Sequence, residues 1–327
     1  MQAGALVRCY CPVSQAVLRG RSVSRRREVV LTFLGTFLLV VAVLAQTYAT
    51  AQLKRIGTDD GTTTRLAGDA TLSGRRVDIE VRTVTSTDPS RSTEDVVAWS
   101  SFVCVVEALP NLPDCVSSDN VRDALIFASI DDFATDRQTA LAVNDPKRVP
   151  ADALPHEGLV NRFPFDADKK SYPWWDRTAG RAYDAEYVDA VETDGLDTYH
   201  YRVEISDVPA EALDGVDTIY ASTIDLYVEP TTGQIVDQAR KQTHVLSDGT
   251  PVLELEYAAT DAQVEASVEQ ARSDVSKLRL VHVVVPIIGY AAGSLLLLLA
   301  IASGVVSRRR REPTPDQGPR SERLVSG

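Results

Sequence analysis

Two long uncharged runs interrupt an otherwise polar chain. Val29 to Leu53 holds 25 consecutive uncharged residues, and Leu280 to Ser307 holds another 28. A membrane-spanning helix needs about 20 mostly apolar residues, so both runs predict such helices and both are too long for ordinary core helices. Ala49-Thr50-Ala51 is the small-residue pattern of a signal-peptide cleavage site. The apolar stretch before it nevertheless exceeds the usual h-region, and a retained anchor is the expectation.

Between the runs the dominant period is two. Val77, Ile79 and Val81 alternate with Asp78, Glu80 and Arg82, and Tyr199, Tyr201, Val203 and Ile205 alternate with His200, Arg202 and Glu204. Such alternation predicts strands with one dry and one wet face. Further strand-like runs are VAWSSFVCVVE, ALIFASI, STIDLYVE and PVLELEY, with turn residues at Asp194-Gly195, Pro230–Gly233 and Ser247–Gly249. Leu226–His244 reads as strand, turn, strand. One helix is predicted at 260–279: Thr260 and Gln263 have capping-box spacing, and Val264, Val268, Ala271, Val275 and Leu278 follow on one face. It either stands on the membrane as a stalk or packs on the sheet. The expected fold is therefore mainly β, an antiparallel, curled or barrel-like sheet with one C-terminal helix, flanked by two transmembrane helices.

Charge supplies the orientation. The net charge is −12, yet 42 of 46 acidic residues and only 22 of 34 Lys and Arg fall between residues 50 and 280. So acidic a body is a poor partner for nucleic acid. The basic ends are Arg25, Arg26 and Arg27 before the first run and Arg308, Arg309, Arg310 and Arg311 after the second. Under the positive-inside rule they anchor both termini in the cytoplasm and place the middle outside. The expected division is a basic cytoplasmic N-terminus (1–28), a first span or uncleaved signal anchor (29–53), an extracytoplasmic β-rich domain (54–279), a second span (280–307) and a basic cytoplasmic tail (308–327). Residues 1–22 read as neither domain nor span, with Val23 as an alternative start. The expected location is the plasma membrane.

The segment His156–Asp176, HEGLVNRFPFDADKKSYPWWD, is followed by DLYVEPTTGQIV and by SKLRLVHVVVPIIGYAAG. In these three stretches the chain resembles an actinobacterial membrane-protein family of unknown function labelled PorA-family porin. The likeness runs over about residues 25–311 and is strongest from His156 to Gly304. Many members carry adjacent cysteines near the position of Val143-Asn144, where this chain has none. The resemblance implies a β-rich outer domain between two spans, linked in some relatives to envelope lipid and lipoglycan assembly and to an elongated barrel-like domain holding lipid. A porin is disfavoured physically, because a membrane barrel needs strands with an apolar outward face and no helical spans.

Candidate chemistry is sparse. There is no GxSxG, P-loop or GxGxxG pattern, and His156-Glu157 lacks the second histidine of HExxH. His200 and His244 alone make no zinc site, His282 falls in the second run, and Asp166, Asp168 and Asp176 read as solvated acids before a calcium site. No metal, cofactor or enzymatic activity is expected. Cys104 and Cys115, across ALPNLPD, are a disulfide candidate, with two buried thiols as the alternative. Phe163, Phe165, Tyr172, Trp174 and Trp175 form the densest aromatic cluster, beside Arg162, Lys169 and Lys170. It reads either as a core plug or as a lipid-binding mouth for an acyl chain and anionic headgroup.

Three functions follow. The first is a non-enzymatic envelope protein whose outer domain binds a lipid or lipoglycan intermediate, or scaffolds other envelope-assembly membrane proteins. The second is a pore or transporter. The third is an envelope hydrolase or transferase with a dispersed site. Gly289 and Gly293, four apart, permit close helix packing.

Overall fold

Strand β8 (Asp217–Glu229) shows why this sequence folds as a sheet. Its side chains alternate between buried and more exposed from Thr218 to Val228, so that Tyr220, Ile224 and Leu226 point to one side. The computed structural model describes residues 14–108, 124–212 and 215–309. Contacts divide the chain into two compact units, Ala51–Leu278 and the two ends together, Met1–Thr50 with Arg279–Gly327.

The first unit is a ten-stranded antiparallel sheet. Besides β8 it contains β1 (Gly61–Leu72), β2 (Arg75–Thr87), β3 (Val96–Glu107), β4 (Leu125–Asp136), β5 (Tyr172–Asp176), β6 (Arg181–Thr193), β7 (Leu196–Glu211), β9 (Gln234–Val245) and β10 (Pro251–Ala259). The spatial order is β4-β3-β2-β1-β10-β9-β8-β7-β6-β5, two meanders joined where β1 pairs β10. The sheet curls into a half-barrel with β4 and β5 as its edges. Isolated rungs, Thr135 with Ala142, Leu141 with Leu159 and Leu159 with Trp174, bridge those edges at one level.

Residues paired in the register share a face. The inner face carries two apolar clusters. One gathers Val203, Tyr201, Leu226 and Val228 of β7 and β8 around Leu159, Phe163 and Trp174. The other gathers Leu66, Ile79, Val81, Val105, Leu253 and Leu255 of β1, β2, β3 and β10.

Helix α3 (Asp261–Arg279) lies on the outer face, where Val268 and Ala271 pack with Val236 and Tyr227. Only half of the expected capping box forms: Gln263 N donates to Thr260 Oγ1 at 3.3 Å. The Gln263 side chain instead accepts from Arg65 N at 3.0 Å, tying the helix to β1.

In the second unit α1 (Ser14–Leu44) packs on α4 (Val285–Arg309). A Cβ on Gly35 would meet Gly293 O at 2.9 Å, and one on Gly289 would meet Ala42 Cβ at 2.8 Å, so Gly289 and Gly293 both sit in this contact. A short helical turn, α2 (Thr50–Leu53), follows a π-turn at Ala45–Ala49, and a second π-turn, Leu280–Val284, precedes α4. Near them Tyr290 OH donates to Gln46 Oε1 at 3.0 Å, and His282 Nδ1 lies 3.3 Å from Thr50 Oγ1. Helical stretches Arg25–Leu53 and Asp261–Val306 are each long and apolar enough to cross a membrane, with apolar side chains such as Phe33 and Ile301 largely exposed.

Candidate functional site

The His156–Asp176 segment folds against the inner face, and two glycines permit it. Gly158 has φ +69, and a Cβ there would collide with the Pro173 carbonyl of β5; Gly233 has φ +72, and a Cβ there would collide with the Phe163 carbonyl. Backbone bonds hold the segment down: Phe163 N to Gly233 O, Asp166 N to Thr231 O and Ala167 N to Pro230 O, all on the β8–β9 turn.

This packing decides the fate of the aromatic cluster. Phe163 is fully buried, and its ring meets Trp174 at 5.6 Å, Tyr172 at 5.4 Å and Tyr201 at 4.5 Å. Tyr172, Trp174 and Trp175 are buried as well. Four of the five candidate aromatics are thus core, and Phe165 is half-buried beneath Arg162, 5.0 Å from ring centre to guanidinium. Lys169 is exposed over Tyr199 (5.2 Å) and Tyr187 (5.8 Å), and Lys170 lies over Tyr172 and pairs with Asp168 at 3.0 Å. Arg162 donates to Thr232 O at 2.5 Å; burial lowers its guanidinium to about 10, against the pull of Asp60 and Asp274.

The N-terminal end of the segment is a latch between the sheet edges. His156 is buried, with Nδ1 2.8 Å from Leu154 O and Nε2 3.1 Å from Asp131 Oδ2 on β4. Its ring lies between Phe133 (5.4 Å) and Trp175 (4.7 Å). Asn144 clamps its backbone from both sides, and Arg177, just past β5, pairs with Asp131 at 2.6 Å. Burial pushes the Asp131 carboxyl up, but the hydrogen bond and charge of His156 and the charge of Arg177 outweigh it and hold it below its usual value. Sequence reasoning missed Asp131, Asn144 and Arg177. The available signal was Asp131-Asp132, a pair of acids inside an apolar edge strand.

Deeper inside, Asp176 at the motif's end accepts from Arg240 Nη2 at 2.5 Å and from Tyr220 OH at 3.1 Å, joining β5 to β9 and β8. His244 packs tilted against Tyr220 and contacts Thr218 Oγ1 at 3.0 Å; burial, then the Arg240 charge, push its imidazole down. His200 faces the other side, between Asp225 (2.7 Å) and Asp189 (3.3 Å), so His200 and His244 do not meet. Asp166, Asp168 and Asp176 are also apart in function, paired respectively with Lys54, Lys170 and Arg240. Among the described residues no three His, Cys, Asp or Glu side chains are grouped to hold a metal.

Cys104 is buried and disulfide-bonded; Cys115 lies outside the described residues. Arg25, Arg26 and Arg27 are exposed on α1, Arg308 and Arg309 end α4, and Arg310 and Arg311 lie outside the described residues.

A family model described as Porin PorA matches residues 28–302. Porin PorA of Corynebacterium amycolatum is 34% identical over 93 residues, covering 25% of this chain and 24% of that protein, so the match spans about a quarter of that relative's length. Among solved structures, a DUF1329 family protein from Desulfovibrio piger is 8% identical with a TM-score of 0.16, covering 69% of this chain and 92% of that one. GphF Dehydratase 1 is 9% identical with a TM-score of 0.12, covering 64% and 81%. Scores so low carry no argument about this chain.

Proposed function

The chain belongs to the Porin PorA family, and from that premise we propose that it is a twice-anchored membrane protein whose sheet unit binds a lipid-class amphiphile. The two apolar helices would be the anchors. Arginines at both helix ends would keep the termini cytoplasmic and the sheet unit on the outer side, within the cell envelope. The protein acts in this reading as a carrier or scaffold and performs no chemistry.

One observation carries the proposal. The inner apolar face of β1, β2, β3 and β10 does not end inside the fold. Through the register Val81–Val105–Phe127 it continues to edge strand β4, where Phe127 is 42% exposed on the same side. An acyl chain laid against that face would gain about 0.8 kcal/mol per buried CH₂. The ligand is a lipid or a lipoglycan intermediate, the kind of molecule an envelope-facing domain beside a bilayer meets.

The family description favours a second reading, a pore. Against it, the inner face of β7 and β8 is filled by side chains, with Tyr201, Val203, Leu226 and Val228 fully buried, which leaves that half without a water-filled lumen. The test is organic extraction of the full chain purified in a sugar-headgroup detergent, paired with planar-bilayer recording. Bound lipid with no conductance supports the carrier; reproducible conductance from a lipid-free preparation favours the pore.

A further inference from the structure

Arg162 is the one arginine of the His156–Asp176 motif, and its surroundings are unusual for so acidic a unit. Among the described residues no carboxylate comes within 4.0 Å of its guanidinium, whereas Arg55, Arg177, Arg202 and Arg240 each have one. Among the described residues its guanidinium has one hydrogen bond, to a neutral carbonyl, Thr232 O. Among the same residues its buried Nε finds no hydrogen-bond partner, and neither does the neighbouring buried Asn161 Oδ1. Arg162 is partly buried, and a guanidinium keeps its charge on partial withdrawal from water and gains from an opposite charge beside it.

The position is fixed in advance. Phe163 N and Ala167 N are tied to the β8–β9 turn on either side of Phe165, whose ring lies under the guanidinium. The same end of the sheet holds Lys54, bonded to Asp166, and Asp274 of α3, bonded to Gln234.

We propose that Arg162, with the half-buried Phe165 ring beneath it, recognises the phosphodiester of a lipid headgroup. The planar guanidinium matches two phosphate oxygens at once, and the ring supplies an apolar ledge for the glycerol end of the lipid. Asp60 and Asp274 act on Arg162 from beyond ion-pair distance. Their field opposes a doubly charged anion more than a singly charged one, which selects a phosphodiester over free phosphate. The inference rests on the amphiphile-binding reading above and adds the headgroup class to it.

The test uses the full chain in dodecyl maltoside micelles, titrated with dihexanoyl phosphatidylglycerol, with dihexanoyl glycerol and with inorganic phosphate, and read by native mass spectrometry. Phosphatidylglycerol is expected to bind at least about tenfold more tightly than dihexanoyl glycerol. R162Q should erase that preference, and R162K, which keeps the charge but not the fork, should retain part of it. Thermal unfolding checks both variants, and R162K decides the matter where R162Q fails to fold. Inorganic phosphate competing as well as the lipid would overturn the headgroup assignment in favour of a free anion. Equal binding of the two lipids by the unmodified chain, or an unchanged preference in R162Q, would overturn the role of Arg162 while leaving the amphiphile reading intact. Binding of neither lipid would overturn both.

Discussion

His156 Nε2 lies 3.1 Å from Asp131 Oδ2, while Nδ1 of the same ring lies 2.8 Å from Leu154 O. A carboxylate and a carbonyl both accept, so the ring donates to Asp131 or to Leu154 from whichever nitrogen carries a proton. The pair joins the motif to edge strand β4, and Trp175 on the opposite edge strand packs on the same imidazole. The motif's first residue therefore works as a clasp between sheet edges that backbone pairing joins only through the isolated rungs.

Breaking the clasp should cost stability. H156A removes a charge-assisted hydrogen bond and empties the space between Phe133 and Trp175, for about 3–5 kcal/mol. H156Q, which keeps one donor, should cost less. Denaturant unfolding of the full chain followed by near-UV circular dichroism measures both; a loss below about 1 kcal/mol in H156A would show that the rungs alone hold the edges.

Acid should loosen the sheet in two steps. The His244 imidazole is held below its ordinary 6.5 by burial and Arg240. Asp131 is held below 3.8 because His156 and Arg177 outweigh burial. In both cases the unfolded chain binds the proton more readily, so the stabilisation is complete above the ordinary values and is lost as pH falls through the lower folded values. Melting temperature should begin to fall just under 6.5 and fall again under 3.8. D131N should shrink the lower step, to which Asp136, Asp225 and Asp274 also contribute, and H244Q should abolish the upper one; a profile unchanged in both variants contradicts the assignment.

Gly158 and Gly233 should tolerate no side chain. Each combines a positive φ with a carbonyl where a Cβ would sit. G158A and G233A are expected to destabilise by more than about 1 kcal/mol, whereas G180A, also at positive φ but with open space around it, should be milder. Comparable effects at all three positions would mean that strain, and not the close approach, is the constraint.

Core and ligand roles should separate by mutation. W174A removes a buried ring and should cost about 3–5 kcal/mol, with lipid lost only because the fold is lost. F127D touches a partly exposed edge position and should leave the melting temperature within a few degrees while abolishing retained lipid. Lipid retention in a folded F127D protein would place the apolar site elsewhere.

Much of the sheet was legible because alternation is explicit: β2, β7, β8 and β10 read directly from Val, Ile, Leu and Tyr at every second position, and the β8–β9 turn from Pro230–Gly233. Strand β1 was not, because GTTTRLAGDATL has few large apolar residues and owes its place to pairing with β2 and β10. Strand β6 was missed for a similar reason, its acids facing outward and its pairing made by β5 and β7. The motif was legible as important but ambiguous in role: Phe163, Tyr172, Trp174 and Trp175 suit a core and a lipid mouth equally, and only their burial decides between them. The clasp was illegible, since Asp131, Asn144, His156 and Arg177 are brought together by the curl of the sheet and by no local spacing.

The most direct test of the account is native mass spectrometry of the full chain released from neutral detergent, before and after delipidation and re-addition of total envelope lipid. The account predicts a discrete lipid adduct that disappears on delipidation, returns on re-addition and is absent from F127D. A chain that stays lipid-free throughout yet gives stepwise conductance in planar bilayers would contradict it.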